Sequence, residues 1–116
     1  MKYDDIRYDI KIRMYKTNKF FGPGVAQILN LVKQKGTLSE AYKIMKISSS
    51  KAWKIIKNAE SDLGFKLIHT VTGGSSGGNS TLTKEGEDLL NRYTAFTKEI
   101  DDYASKLFEK YFNLNN

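Results

Sequence analysis

Residues 37–63 read TLSEAYKIMKISSSKAWKIIKNAESDL. Their first four residues have the capping-box pattern, in which Thr37 accepts a hydrogen bond from a backbone N–H and Glu40 reaches back toward the start of the helix. The pattern predicts a short helix that ends near Met45. Ser48 is a candidate N-cap for a longer helix that continues to the end of the stretch. Two short helices joined by a tight polar turn are typical of a helix-turn-helix.

Another helix is predicted before these two in the chain. Gly22-Pro23 suits its first turn because proline lacks the N–H that would need a partner. Its apolar residues recur at helical spacing: Val25, Ile28, Leu29 and Val32. Gly36 and Gly64 are expected to terminate the helices that precede them.

Residues 5–15 alternate, with Ile6, Tyr8, Ile10, Ile12 and Met14 on one side and charged side chains between them. This period of two predicts a half-buried strand, followed by a polar turn over residues 16–19.

Two short strands are predicted downstream, over 66–72 and 81–83, around the glycine-rich run GGSSGGNS. A hairpin directly after the second helix of a helix-turn-helix is what is called a wing. Thr83 then caps a last helix from Lys84 to about Phe112.

The predicted fold is mainly α with a small β component (α+β): a winged helix-turn-helix with an N-terminal strand and a long C-terminal dimerisation helix. We expect one domain over 1–116, with a strand region at 1–19, the winged helix-turn-helix at 20–83 and the dimerisation helix at 84–116.

Composition narrows the class of protein. Of the 116 residues, 40% are hydrophobic and 28% charged, as in ordinary globular proteins. We expect no membrane span, since no apolar run reaches about 18 residues, and a cytoplasmic location, since the acidic, alternating start is unlike a secretory signal. With no cysteine, disulfides and thiolate metal sites are excluded. The composition is rich in Ile, Lys, Asn and Tyr, which suggests an A·T-rich prokaryotic genome.

The net charge of +6 is unevenly distributed. Residues 1–83 carry 14 basic and 6 acidic side chains, whereas residues 84–116 carry 5 basic and 7 acidic ones. A basic body beside a mildly acidic tail indicates a polyanion-binding surface joined to a segment with another role.

The third predicted helix of the chain, 48–63, is the candidate recognition helix. One stripe should face the core: Ala52, Trp53, Ile56, Ala59 and Leu63. The opposite side supplies the candidate DNA-binding residues Ser48, Ser49, Ser50, Lys51, Lys54, Lys57 and Asn58. We assign base-edge contacts to Ser49, Ser50 and Lys51, and phosphate contacts to Lys54 and Lys57. The alternative is an ordinary solvated lysine face.

The wing supplies a second set of candidate DNA contacts: Thr72, Gly73, Gly74, Ser75, Ser76, Gly77, Gly78 and Asn79. Its backbone N–H groups could lie against the sugar-phosphate backbone, or the loop could be a turn that touches nothing. Neither a dinucleotide fingerprint nor a P-loop is present, so a nucleotide site is not expected.

No catalytic or metal site is predicted, and no cofactor. His69 is the only histidine, and the carboxylates near Asp101 suit a solvated helix edge better than acid-base catalysis.

The last helix has an apolar seam with heptad-type spacing, formed by the candidate dimerisation residues Leu89, Tyr93, Phe96, Ile100, Tyr103 and Leu107. A helix of roughly 42 Å is longer than a small domain can cover, so the seam needs a second chain. Two-fold pairing would place two recognition helices about 34 Å, one helical turn of DNA, apart.

Four segments, in this order, resemble the N-terminal DNA-binding domain of the ModE family of molybdate-responsive transcriptional regulators: GPGVAQILNLVKQKGTLSEA, SSSKAW, TGGSSGGNSTLT and EGEDLLNRY. The resemblance spans about residues 20–112, and its first two elements are more distantly similar to the LysR-type helix-turn-helix.

The resemblance implies a repressor or activator that dimerises through its long helix and binds an inverted repeat in double-stranded DNA. It places Ser49, Ser50, Lys51 and Lys54 in the recognition helix and 72–80 in the wing. Full-length members carry a C-terminal oxyanion-binding domain of small β-barrels. The sequence ends at Asn116, so we expect no site for molybdate or another oxyanion within it.

The leading hypothesis is a sequence-specific, homodimeric transcriptional regulator. The alternatives are a low-specificity architectural DNA-binding protein and a winged-helix protein-interaction module.

Overall fold

A computed structural model describes residues 2–71 and 79–112. The elements, in chain order, are β1 (Met14–Tyr15), β2 (Lys19–Phe21), α1 (Pro23–Lys35), α2 (Leu38–Met45), α3 (Ser49–Leu63), β3 (Ile68–Val71), β4 (Asn79–Leu82) and α4 (Lys84–Phe112). β1 pairs antiparallel with β2, and β3 with β4. The predicted α+β winged helix-turn-helix is confirmed.

The predicted helix ends are confirmed by their caps. The side-chain oxygens of Thr37, Ser48 and Thr83 each accept a hydrogen bond from the backbone N–H three residues later, at 2.9–3.1 Å. Gly36 and Gly64 end α1 and α3 in the left-handed conformation, with φ of 82° and 85°. These positions favour glycine because a Cβ is disfavoured at positive φ.

The core lies where α1 meets α2, α3 and the start of α4. Its fully buried large side chains are Phe21, Ile28, Leu29, Val32, Ile56 and Leu67. The short α2 contributes Leu38 and Ala41. Tyr93 closes the core from α4, with its ring 4.9 Å from that of Phe21.

The wing hairpin is fixed to the helical body by backbone hydrogen bonds. Ser80 N–H donates to the Gly36 carbonyl at 2.8 Å, and Thr83 N–H donates to the Leu67 carbonyl at 2.9 Å. The strands differ from their predicted limits, since β3 begins at Ile68 and β4 already begins at Asn79. At the start of β3 the N–H groups of Leu67 and Ile68 donate to the Glu60 carboxylate.

The predicted strand over 5–15 is wrong for most of its length, since only Met14 and Tyr15 are in a strand. A strand needs a hydrogen-bonding neighbour, and here only the short β2 pairs with the segment. The residues before β1 contact α4 instead, with the Tyr3 ring 5.8 Å from that of Phe112 and Tyr8 4.8 Å from Phe108. The apolar side chains of the alternation are therefore covered by a helix, and only in part.

α4 makes the molecule elongated. The described residues span 60 × 29 × 21 Å, with a radius of gyration of 17.7 Å, where a compact chain of this length would have about 13 Å. The far half of α4 therefore extends beyond the helical body. None of the helices in the described residues combines the length and apolarity needed to cross a bilayer.

Candidate nucleic-acid interface

α3 presents a sharply divided surface. Ala52, Ile56 and Ala59 are buried on its inner side, and Trp53 and Leu63 are partly buried against the same core. On its outer side all seven predicted DNA-binding residues are exposed: Ser48, Ser49, Ser50, Lys51, Lys54, Lys57 and Asn58. The helical period alone produces this division.

The structure gives these seven residues different tasks. The Ser48 hydroxyl accepts from Lys51 N–H at 3.1 Å, so it holds the first turn of the helix. Lys57 lies back along its own helix, with Nζ 5.5 Å from the centre of the Trp53 ring and 3.6 Å from the Glu60 carboxylate. Ser48 and Lys57 therefore already have intramolecular partners.

Lys51 and Lys54 are the lysines of α3 that have no ion-pair partner among the described residues. Neither forms an ion pair with any residue of 2–71 or 79–112. Both are exposed, three residues apart, on the side of the helix away from the core. Two uncompensated charges on a rigid helix are suited to phosphate oxygens.

The predicted wing contacts lie mostly outside the described residues, namely Thr72, Gly73, Gly74, Ser75, Ser76, Gly77 and Gly78. Asn79 is described, exposed, and paired with Val71 at the far end of the hairpin. The base of the hairpin is joined to α3 through Glu60, whose carboxylate accepts from Leu67 N–H at 2.8 Å and Ile68 N–H at 3.3 Å. The base of the hairpin is thus held in a fixed relation to α3, a role for Glu60 that its place in the helical pattern did not reveal.

His69 is exposed on β3, opposite Thr81 of β4. In the part of the chain that the structure describes, no three His, Asp or Glu side chains are grouped so that they could hold a metal ion.

The N-terminal hairpin, which we define as residues 11–21 with the paired strands β1 and β2, also reaches α3, a contact that the sequence did not predict. Lys11, Arg13 and Lys19 surround the same depression as Asn58 of α3. The alternating pattern had already placed Lys11 and Arg13 on one side of the segment, but only the fold shows which helix lies beside them.

Tyr93 connects this hairpin to α4. Its hydroxyl donates to the Ile12 carbonyl at 2.7 Å. Burial raises the pKa of the Tyr93 phenol above its ordinary value, and the nearby Arg13 guanidinium opposes that rise. The phenol therefore stays protonated and remains a hydrogen-bond donor at neutral pH.

The predicted dimerisation seam divides into two parts. Leu89 is half-buried against the core and Tyr93 is buried in it, so both are covered by their own chain. Further along, Phe96 is 49% exposed and Tyr103 64% exposed. With Ile100 and Leu107 they line an open groove of about 410 Å³.

Comparison with known proteins points to one group of regulators. The chain is 27% identical to the molybdenum-pterin-binding protein MopB of Rhodobacter capsulatus over 97% of its own length and 41% of that protein. It is 30% identical to the transcriptional regulator ModE of Haemophilus influenzae, over 80% of the chain and 35% of ModE. No protein-family model matches the chain.

Among solved structures, a variant of ZitR from Lactococcus lactis superposes with a TM-score of 0.60 over 97% of this chain and 77% of ZitR. The identity is 16%, so this likeness concerns the fold alone. The chain spans about two fifths or less of the curated relatives named above. The resemblance to the ModE family that the sequence predicted is confirmed by these relatives, which match most of the length of this chain.

Proposed function

We propose that the chain is a cytoplasmic, sequence-specific regulator of transcription that binds an inverted repeat in double-stranded DNA as a homodimer. The observation that carries this proposal is the outer face of α3, where Lys51 and Lys54 are exposed without an ion-pair partner in residues 2–71 and 79–112. The relatives named as transcriptional regulators support the same function.

The shape of the protein suits this role. α3 rests on a packed core on one side and offers short hydroxyls and lysines on the other. A helix of this kind enters the major groove, which is about 12 Å wide, with the residues of its N-terminal turns near the base edges. We therefore assign base-edge contacts to Ser49, Ser50 and Lys51 and a phosphate contact to Lys54. Lys57 would have to leave the Trp53 ring to join them.

The test begins with selection of bound genomic fragments by the purified protein at about 150 mM salt, where the Debye length is about 8 Å. The selected operator is then titrated by fluorescence anisotropy at several salt concentrations. Replacing Lys51 and Lys54 with alanine should weaken binding and reduce the salt slope by about 1 for each phosphate that is no longer neutralised.

Lys98→Ala is the matched control for charge, since Lys98 pairs with Asp102 on α4. It removes one positive charge per chain away from α3 and should leave the salt slope unchanged. Equal reductions of affinity in Lys54→Ala and Lys98→Ala would mean that α3 is not the DNA-binding surface.

The same titrations separate the proposed function from its alternatives. A sequence-specific regulator should prefer its operator to random DNA by more than about 10³-fold, whereas an architectural protein should bind both alike. A protein-interaction module would keep its partner when both lysines of α3 are replaced.

The homodimer is supported by the part of α4 that extends from the body. A helix of 29 residues is about 43 Å long, and its groove exposes Phe96, Tyr103 and Leu107 to solvent. The N-terminal segment contacts α4 at Phe108 and Phe112 and leaves this groove open. We assign the groove to the α4 helix of a second chain, paired at heptad-type spacing.

Ile100→Asp tests this assignment, since a carboxylate in a helical seam loses its hydration without gaining a partner. Light scattering coupled to size exclusion should show a monomer, and operator affinity should fall with it. Ser105→Asp adds the same charge about 140° around the helix from Ile100, at an exposed position, and should leave the dimer intact. A dimer that survives Ile100→Asp would contradict the seam.

A further inference from the structure

A second depression lies between the N-terminal hairpin, the start of α1 and the flank of α3. Its volume is about 390 Å³, within the roughly 300–1,000 Å³ range of small-molecule sites. Phe20, Val25, Ile55 and Ala59 contribute apolar surface to its lining. The depression is thus large enough for a bicyclic ring, and much of its lining is apolar.

Its polar lining is strongly positive. Lys11, Arg13 and Lys19 surround the depression, and none of them forms an ion pair with another residue of 2–71 or 79–112. Like charges that line one depression repel each other. The carboxylate that would balance these three cations is not supplied by the described lining.

The start of α1 adds to this positive potential. Gly22, the N-cap, offers no side-chain acceptor, and the first turn holds no acidic residue. The Arg13 side chain passes directly beside it, since a Cβ at Gly22 would meet Arg13 Cγ at 3.4 Å. A helix begins with unpaired N–H groups and a partial positive charge, which stabilise a nearby anion. The N-terminus of α1 instead lies beside the cationic side chain of Arg13.

We propose that this depression binds a small organic anion, made of a planar apolar body and one carboxylate. The carboxylate lies among Lys11, Arg13 and Lys19, and the body contacts Phe20, Val25 and Ile55. The apolar lining favours an organic anion over a compact inorganic oxyanion, because the latter has no apolar surface that those side chains could contact.

The position of the depression makes it a regulatory site. Asn58 and Ile55 belong to α3, so one wall is the helix that we assign to DNA. A bound anion would add negative charge beside that helix and oppose the approach of phosphate. This regulatory step rests on the proposed function, whereas binding of the anion does not.

The experiment uses 2-naphthoate as the probe and 2-naphthamide as its neutral counterpart of the same shape, titrated calorimetrically into the whole protein. The carboxylate should bind about tenfold more tightly than the amide, because hydrogen bonds to charged groups are the stronger ones. Amide resonances of Gly24, Val25 and Ile55 should shift on binding, which locates the probe.

Arg13→Gln should remove about tenfold of the affinity for naphthoate and leave that for naphthamide unchanged. Lys16→Gln is the matched control. It removes the same charge from the exposed turn of the same hairpin, and Lys16 is not in the lining. Equal affinity for the two probes, or equal effects of the two variants, would overturn the proposal.

DNA titrations distinguish a regulatory ligand site from cations that simply bind DNA phosphate. Saturating naphthoate should weaken operator binding at least fivefold in the wild type, the low end of usual coupling between sites, and not in Arg13→Gln. If Arg13→Gln lowers DNA affinity and naphthoate does not bind, the cations serve DNA phosphate and the ligand site is refuted. If naphthoate binds as expected but no DNA is selected, the site stands and the proposed function fails.

Discussion

Gly86→Ala is the substitution for which the structure and helix propensity predict opposite outcomes. Gly86 lies in the first turn of α4, where its backbone passes the start of β3. A Cβ at this position would lie 2.3 Å from the Leu67 carbonyl oxygen and 3.1 Å from its carbonyl carbon. Ordinary contacts to a Cβ begin at about 3.4 Å, so helix and strand would have to separate by about 1 Å.

The expected magnitude follows from what that separation disturbs. Leu67 is fully buried, and its carbonyl accepts Thr83 N–H at 2.9 Å. Overpacking of a core costs about 1–3 kcal/mol, and weakening this hydrogen bond about 1 kcal/mol more. Alanine is favoured over glycine in a helix by about 1 kcal/mol. The net loss is therefore about 2 kcal/mol of unfolding free energy, or roughly 10 °C in Tm.

Urea unfolding followed by circular dichroism measures this loss, with all variants at one protomer concentration because dimerisation would shift the midpoint. Gly24→Ala is the matched control, since it lies in the first turn of α1 and its Cβ would meet nothing within 4 Å. It should be neutral or stabilise by up to about 1 kcal/mol. A Gly86→Ala variant as stable as the wild type would refute the close approach of α4 to Leu67.

Three further substitutions test the contacts that hold the fold and the site. Ser48→Ala removes the N-cap of α3 and should cost about 1 kcal/mol in urea unfolding; no loss would mean that solvent replaces the cap. Glu60→Ala leaves two buried backbone N–H groups before and within β3 without an acceptor and should cost about 3 kcal/mol, while Glu60→Gln, which retains an acceptor, should cost less. Tyr93→Phe loses the bond to the Ile12 carbonyl and should cost about 1 kcal/mol. Because burial raises the folded-state pKa of Tyr93, its contribution is present below the unfolded pKa of about 10 and is lost as pH rises through the folded pKa; the phenylalanine variant should lack this alkaline loss.

The helix ends were predictable because each depends on residues next to one another in the chain. Thr37 and Ser48 accept from N–H groups three residues later, and Gly36 and Gly64 adopt the left-handed conformation locally. Nothing distant is needed to form these caps. The same holds for the outer face of α3, which follows from the helical period alone.

The alternation over residues 5–15 led to a wrong prediction of a strand. A period of two indicates which side chains lie on the same side of the segment, but it does not indicate which element packs against that side. The apolar side of 6–14 needs cover, and a sheet supplies it only when a second strand is long enough to pair. β2 has three residues, so most of the segment lies beside α4, where Tyr8 meets Phe108. That contact joins residues a hundred positions apart and has no signature in the local pattern.

The exposed side chains of α3 could be predicted from the sequence. Which of them are free to contact DNA could not. Lys54 and Lys57 are both exposed in accordance with the helical period. Lys57 nevertheless contacts Trp53 one turn earlier and Glu60 one turn later. Spacings of three and four bring side chains together on a helix, so the contacts were possible from sequence, but the choice between them and DNA depends on where Glu60 is held by β3.

The apolar seam on α4 could also be predicted from the sequence, but the molecule that covers it could not. Heptad-type spacing from Leu89 to Leu107 establishes that these side chains share one side of a helix, and it does so for a helix covered by its own chain as well as for one covered by a partner. The change occurs along α4 itself: Tyr93 meets Phe21 of its own core, whereas three residues later Phe96 is half exposed. Among the described residues of α4, Tyr93 is the last that is buried, so the core ends between Tyr93 and Phe96. Beyond that point the N-terminal segment contacts Phe108 and Phe112 but leaves the groove at Phe96, Ile100 and Leu107 open. For this reason we place the partner's contact at these three residues and not along the whole seam.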